Sequence, residues 1–562
     1  MKHLFSFSVL MAMLLGASPL LAQDTVTELA DPKPGPQEAW QTVKKPQFVW
    51  GSADVRYSRS QVPDASKAPA LYAWRGERVS AQAVFATPAD VEVTLSVSDL
   101  KSGKNVIPSA CIRKYFVSYV LTDYFGDRSE TYLMPDRLVE VEKYAVPAQT
   151  TRPVWLDIHV PQDAAPGKYT GRVSLSFDGT TLTLPLSVNV GKRVLPEPKD
   201  WAYHLDLWQN PYSVARYFNV PLWSQAHFDA MRPIMELYAQ AGGKVITTSI
   251  IQHPWNGQTE DPFESMVVKM KHVDGSWTYD YTVFDKWVEF MMSCGVTEQI
   301  DCYTIVPWGY KFEYVDMATS TLSQVACVPG EKAYEDFILP FLTDFARHLK
   351  TKGWFERTCI AMDERPMDQL RVAWDIVRRA DPGYRIEGAV NYSPEVVNMM
   401  YDISIAYDYN ALPDEVVDQR HAEGKVTKFY TCCGPDRPNT FTFSPATESA
   451  YLAFHAAALN YDGYLRWAYN SWVADPCTDT RFRTWYSGDC FVVYPSGSSI
   501  RFEQMVRGIQ DYEKIRILRA EGKPGMQEKI DALLQPFAAI PYATEDAAVA
   551  VAAAEAAIRR LE

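Results

Sequence analysis

"CIAMDERPM", residues 359–367, is an apolar run that stops on two adjacent carboxylates, Asp363 and Glu364, and then turns at Arg365-Pro366. Two like charges side by side raise each other's cost of ionisation. Ordinary roles for such a pair are a cap on the next helix for Asp363 and a first-turn acid, favoured by the helix dipole, for Glu364. A chemical role competes with these, and the place of the run in the chain bears on the choice.

The run is one of eight short apolar segments between residues 203 and 470. The others are YHLDLW (203–208), KVITTSII (244–251), IDCYTIV (300–306), RIEGAVN (385–391), DISIAYDY (402–409), VTKFYTCC (426–433) and GYLRWAYN (463–470). Amphipathic helical patterns separate them. In YTVFDKWVEFMMSCG, Phe284, Trp287, Val288 and Met291 fall at i, i+3, i+4 and i+7 before a stop at Gly295. Pro340 is expected to kink the helix that follows the third strand. Eight strand-helix units predict a (β/α)8 barrel over residues 198–522, whose last helix is SSIRFEQMVRGIQDYEKIRILRAEG (498–522). An Ala-rich helical tail occupies residues 523–562.

Upstream, RVSAQAVF (78–85), DVEVTLSVS (90–98), PVWLDIHV (153–160), YTGRVSLSF (169–177) and TLTLPLSVNV (181–190) alternate apolar and polar residues between turn signals such as Pro166-Gly167 and Asp178-Gly179. They predict an antiparallel β-sandwich over residues 23–197, joined to the barrel by the proline-rich VLPEPKDW (194–201). The Pro-rich stretch before residue 50 is expected to wrap an edge. Residues 1–22 read as a secretory signal peptide, with a basic start at Lys2, a short apolar stretch and small residues near Ala22. The expected location is therefore exported, periplasmic or extracellular. No later stretch is long and apolar enough to span a membrane.

The 562 residues are 47% apolar and 13% aromatic, with 16 Trp and 32 Tyr, enough for several cores and for stacking surfaces. A net charge of -14 argues against nucleic acid and anionic membranes as partners and suits a neutral glycan. The nine Cys form no paired framework, and the neighbours Cys432 and Cys433 read as packing residues on a strand. No HExxH, GxSxG, GxGxxG or Walker loop is present, and the nine His do not cluster. No metal or other cofactor is implied.

Barrel enzymes gather their reactive groups at the carboxyl ends of the strands. In the fourth strand Cys359, Ala361 and Asp363 suit the interior, so Asp363 points into the mouth, and the turn at Arg365-Pro366 lets Glu364 follow. Other strand ends carry Trp208, Asn391 and Tyr392, Asp408, Trp467, Asn470 and Trp472. Aromatic faces with a few directed polar groups are what a sugar pocket needs. Trp208, Trp467 and Trp472 are candidate stacking walls, and Asn391, Tyr392, Asp408 and Asn470 candidate hydrogen-bonding partners of the sugar.

The segments HLDLWQNPYSVAR (204–216), MDERP (362–366), PNTFTFSP (438–445), DGYLRWAYNSWVADP (462–476) and YPSGSSIRFEQMVRGIQDYEKI (494–515) resemble glycoside hydrolase family 123, the exported β-N-acetylgalactosaminidases. The resemblance implies an amino-terminal sandwich, a catalytic barrel and a glycan substrate ending in β-linked N-acetylgalactosamine (GalNAc). It also implies substrate-assisted retention, an exception to the two-carboxylate scheme: the sugar's own acetamido oxygen attacks the anomeric carbon. Asp363 then orients the acetamido group and stabilises the oxazolinium-like intermediate, while Glu364 protonates the leaving oxygen and later deprotonates water. Alternatives remain open at this point. They are a conventional glycosidase with Asp206 or Asp408 as nucleophile, a barrel that binds glycan without cleaving it, and a glycan site on the sandwich.

Overall fold

The computed structural model describes residues 26–562 apart from 36, 65, 408–410, 541 and 543–545. The expected signal peptide lies outside the described residues, as does Asp408. The amino-terminal part is two packed sheets. One runs in the order Gln47–Gly51, Arg78–Thr87, Thr150–His159, Ile112–Tyr124 and Asp127–Val139, all antiparallel. The other runs Leu71–Arg75, Thr180–Val194, Gly167–Phe177, Val91–Val97 and Lys143–Val146, with its first pair parallel. Alternating residues such as Phe85, Val93, Phe116, Leu156, Val173 and Val188 close the core between them. The irregular leader is tied down by Glu28, which accepts hydrogen bonds from Arg152 (2.5 and 2.8 Å) and from the Tyr119 backbone N–H (2.9 Å). Burial works against its charge, yet Arg152 and these donors hold the Glu28 carboxyl at about 2.

The second part is a ring of eight parallel strands: β1 (His204–Leu207), β2 (Val245–Ser249), β3 (Gln299–Tyr303), β4 (Thr358–Met362), β5 (Arg385–Val390), β6 (Asp402–Ala406), β7 (Val426–Tyr430) and β8 (Gly463–Arg466). β8 returns to pair with β1, and Gly463 is needed there because a Cβ would meet the His204 carbonyl oxygen at 2.0 Å. The remaining seam, between β1 and β2, has a single backbone bridge at Leu205 and Gly243. Side chains complete it. Gln209 accepts from the Thr247 N–H (3.0 Å) and donates to the carbonyls of Val245 (3.1 Å) and Leu207, while the Tyr238 hydroxyl reaches the Leu205 carbonyl (2.9 Å). Helices follow the strands, and Lys332–Lys352 runs unbroken through Pro340. The last of the ring, Ile500–Ala520, is capped by Ser499, and two further helices, Met526–Leu534 and Ala547–Leu561, form the tail. A small sheet not read from the sequence (Trp277–Asp280, Val268–Lys271, Lys311–Asp316, Thr321–Ala326) is inserted around the loops after β2 and β3.

Inside the ring the lower layers are polar. The Lys428 ammonium, fully buried, donates to Asp206 (2.7 Å) and Asp402 (2.9 Å), and Gln299 donates to Asp301 (2.9 Å) and Asp402 (2.8 Å). The Tyr303 hydroxyl donates to Glu387 (2.9 Å). Burial lifts the carboxyls of Asp301 and Glu387 well above the usual range and that of Asp206 to about 6, which keeps protons on part of the set.

The sandwich meets the barrel through the long hairpin Ile112–Tyr124 and Asp127–Val139. Asp136 on this hairpin pairs with Arg501 (2.9 Å) and Arg56 (2.7 Å) and accepts from the Tyr494 hydroxyl (2.7 Å). Arg501 in turn donates to the carbonyls of Thr440 (2.7 Å) and Phe491 (2.9 Å). Further out, the Leu121 N–H donates to the Thr478 carbonyl (2.7 Å), and the Ser487 N–H to Asp123 (2.9 Å). A larger cavity between the two parts, about 540 Å³, is lined in part by paired charges, among them Arg507 with Asp54 and Glu555 and Lys514 with Glu77 and Asp511.

Replacing Asp136 by Ala leaves two buried guanidiniums without their carboxylate and is expected to cost roughly 3–5 kcal/mol of unfolding free energy. Burial raises the Asp136 carboxyl, but Arg501 and Arg56 outweigh it, so its net shift is downward. The stabilisation is therefore full above the unfolded pKa of about 4 and fades as the pH falls below it through the folded value. Urea unfolding of both chains across this range should show the difference narrowing in acid.

Candidate active site

The mouth of the ring, at the carboxyl ends of the strands, holds a cavity of about 140 Å³ lined by Trp208, Trp255, Trp308, Asp363, Glu364, Tyr430, Cys432, Cys433, Trp467, Trp485 and Asp489, among others. Its floor is the uppermost side-chain layer of the barrel. Trp208 stacks on Trp255 (4.9 Å between rings, 27°) and leans on Tyr303 (4.4 Å), next to Ala361, Ala389, Tyr430 and Leu465. The indole N–H groups of Trp208 and Trp255 are buried and have no acceptor among the described residues.

β4 ends at Met362. Ile360 and Met362 pack outward against helices and Ala361 lies in the floor, so the alternation sends Asp363 into the mouth. The following helix, Met367–Ala380, starts too late for the ordinary roles: its cap position is Pro366, with no side-chain cap, and its first-turn acid is Asp368. Asp363 instead accepts from the Trp308 indole N–H (2.7 Å) through one oxygen and from the Glu364 N–H (2.8 Å) through the other. Glu364 accepts from the Tyr430 hydroxyl. Arg365 fixes the turn, its guanidinium lying 4.8 Å from the Trp308 ring and 4.7 Å from the Tyr310 ring while it donates to the Tyr310 hydroxyl.

Burial lifts the Asp363 carboxyl to about 6, against the hydrogen bonds from Trp308 and the Glu364 N–H, with the Glu364 charge adding to the rise. Asp489, on the opposite wall, is raised by burial and held by Arg466 (2.8 Å) and the Trp467 indole (3.0 Å). Trp485 donates to the Gln258 carbonyl (3.0 Å), which links the loop after β8 to the loop after β2 across the mouth.

Of the residues chosen from the sequence, Trp208, Asp363, Glu364 and Trp467 come together here. Asn470 and Trp472 do not. Asn470 is fully buried and spends its amide on the Asn210 N–H and carbonyl (2.9 Å each), and Trp472 donates to the Val493 carbonyl (2.8 Å) against Tyr217. Asn391 is exposed just beyond β5 and Tyr392 half-buried against the helical layer, and neither lines the cavity. Asp206, the alternative nucleophile, lies below the floor on Lys428. Trp255, Trp308, Tyr430, Trp485 and Asp489 escaped the reading. Tyr430 alone carried a signal, since it shares the inner face of β7 with Lys428; the others sit on loops with no period. Cys432 and Cys433 are not strand residues, because β7 ends at Tyr430.

Three carboxylates, Asp206, Asp301 and Glu387, bring oxygens within 4.8 Å of one another inside the barrel. Lys428, Gln299 and Tyr303 each reach one oxygen of Asp206, Asp301 and Glu387 respectively, and the second oxygen of each has no hydrogen-bond partner among the described residues.

A (β/α)8 barrel whose mouth sets a carboxylate pair among indole faces is the architecture of a glycoside hydrolase. Residues 208–518 match the model described as "Glycoside hydrolase 123, catalytic domain", and residues 50–176 match "Glycoside hydrolase 123 N-terminal domain". The chain belongs to glycoside hydrolase family 123. Among solved structures, a family 123 glycoside hydrolase from Clostridium perfringens, described for glycolipid glycan hydrolysis, is 25% identical, with a TM-score of 0.84 over 92% of this chain and 98% of that one. A family 20 exo-β-N-acetylglucosaminidase from Vibrio harveyi (10% identity, 69% of this chain and 82% of that one, TM-score 0.20) and a β-glucuronidase from Parabacteroides merdae (10%, 84% and 52%, 0.29) superpose too loosely to add to this. No curated protein matches the chain.

The Trp308 hydrogen bond favours the charged form of Asp363. Its loss in Trp308→Phe is expected to move the Asp363 titration upward from about 6, and the acid limb of the pH dependence of glycoside hydrolysis should move with it, toward higher pH.

Proposed function

We propose that the chain is an exported, retaining exo-glycosidase that releases terminal β-linked GalNAc by substrate-assisted catalysis. The observation that carries this reading is the adjacency of Asp363 and Glu364 in one cavity, each with its own hydrogen-bond partner. An ionised Asp363 faces the acetamido N–H, holds the acetamido oxygen against the anomeric carbon and stabilises the cation that forms. Glu364, fixed through one oxygen by Tyr430, gives a proton to the leaving oxygen and takes one from water in the second step. The hydrogen bonds from Trp308 and the Glu364 N–H favour the ionised Asp363 against the burial that lifts it, and a fixed carboxylate in a dry site stabilises developing positive charge more than it would in water.

Two other carboxylates near the cavity are each held by a cation. Asp206 is committed to Lys428, and Asp489 to Arg466 and Trp467. The unpartnered indole N–H groups of Trp208 and Trp255 suit sugar oxygens, and the indole faces suit the apolar face of a galacto ring. A cavity of about 140 Å³ is small beside the roughly 300–1,000 Å³ of sites for larger ligands, as suits a single terminal sugar. The described activity of the Clostridium perfringens relative favours glycolipid glycans as the substrate class. The apolar leader of residues 1–22 supports export.

Aryl β-GalNAc and β-galactoside substrates offered to the mature protein and to Asp363→Asn and Glu364→Gln variants test the proposal. Turnover should be confined to the N-acetyl sugar, and each variant should lose about 10²–10⁴-fold in kcat/KM. The loss in Glu364→Gln should shrink with a leaving group that needs no proton, whereas that in Asp363→Asn should not. Equal cleavage of both sugars, or full activity in Asp363→Asn, would mean that the protein supplies its own nucleophile.

A further inference from the structure

Cys432 and Cys433 lie immediately after β7 with their sulfurs 3.8 Å apart, and both line the cavity that holds Asp363 and Glu364. Cys433 is exposed and Cys432 half-buried, whereas Cys294, Cys302, Cys327, Cys359, Cys477 and Cys490 are buried. The contact between the two thiols lowers the Cys433 thiol from its ordinary value and makes it the readier nucleophile. The segment is anchored on both sides. The Cys432 N–H donates to the Gly434 carbonyl (3.0 Å), and the Cys432 carbonyl accepts from Asn439 (3.1 Å), which also holds Arg466 (2.7 Å).

We propose that Cys432 and Cys433 form a reversible redox modification site in the cavity wall, closed to a disulfide by exchange with a small disulfide of the glutathione class. The Cys433 thiolate attacks one sulfur of the small disulfide, and the other sulfur leaves as a thiolate that takes up a proton. Cys432 then gives its proton to solvent and attacks the Cys433 sulfur of the mixed disulfide, which expels the second small thiol. Two protein thiols are oxidised and one small disulfide is reduced to two thiols, with protons conserved. Neighbouring residues have Cα atoms only about 3.8 Å apart, less than the roughly 4.4–6.8 Å of ordinary disulfides, so the ring is strained. Strained, exposed disulfides are the easily reduced ones, and this bond should open again under mild reductant.

Ring closure reshapes the chain directly after Tyr430, whose hydroxyl holds Glu364. Oxidation therefore lowers turnover. This consequence, unlike the thiol chemistry, rests on the glycosidase reading of the Asp363–Glu364 pair.

The full mature chain, reduced and freed of reductant, is treated with glutathione disulfide and divided for peptide mass analysis and for assay on the aryl β-GalNAc. The expected result is loss of two hydrogens from the peptide that carries both cysteines, a fall in kcat/KM of about tenfold or more, and recovery of both with dithiothreitol. In Cys433→Ser the peptide should keep its hydrogens, and the ratio of treated to untreated activity should stay at one. A persistent glutathione adduct, or no change in the peptide, overturns the site. An oxidised peptide with unchanged kcat/KM overturns the effect on turnover. If the untreated chain cleaves no glycoside, the functional proposal fails, and the peptide mass alone decides whether the pair is a redox site.

Discussion

A lysine ammonium with no access to water sits at the centre of the barrel, and the arrangement above it follows from how its charge is met. Lys428 is satisfied by Asp206 and Asp402, from strands on either side of it, and Gln299 extends the set to Asp301. Such a cluster contributes little net stability over an apolar plug, because desolvation offsets the attraction between its charges. What it does fix is direction. Glu387 holds the Tyr303 hydroxyl from below, and Tyr303 supports the Trp208–Trp255 stack that forms the cavity floor. The orientation of the floor is thus set by charges that never meet the substrate.

The same division of labour appears at the carboxylate pair. A neighbouring acid was expected to matter mainly through its charge. In the structure burial is the first cause of the rise at Asp363, and the charge of Glu364 comes after two opposing hydrogen bonds. The wall around the pair is therefore as much a part of its chemistry as the pair itself. Trp308 excludes water and supplies one of those hydrogen bonds, while Arg365 holds Trp308 by its face.

The eight barrel strands were legible as short apolar runs between amphipathic helices, because parallel strands are buried on both faces, and in the fourth the alternation of side chains separated inner from outer residues. Asp363 followed from that alternation. Position at a strand end proved a weaker guide where the chain turns away at once. Asn470 and Trp472 have the right residue types but are consumed in closing the loop after β8 on Asn210 and Val493. Asn391 and Tyr392 leave the ring on its outer side. The walls supplied by Trp308, Trp485 and Asp489 come from loops whose shape depends on partners far along the chain, such as Asp363 for Trp308 and Asp123 for Ser487, and no local pattern records that. The inserted sheet was missed for a related reason: its strands alternate only weakly and are half-exposed.

The hairpin that carries Asp123 and Asp136 makes the cavity depend on both parts of the chain. One wall of the cavity, from Trp485 to Asp489, belongs to the barrel by sequence but is held in shape by the sandwich. A barrel moved onto a foreign partner would bring its carboxylates and lose its enclosure. The hairpin thus acts as an external splint for the active-site wall, and its length and register matter to the cavity although it contributes no residue to the lining.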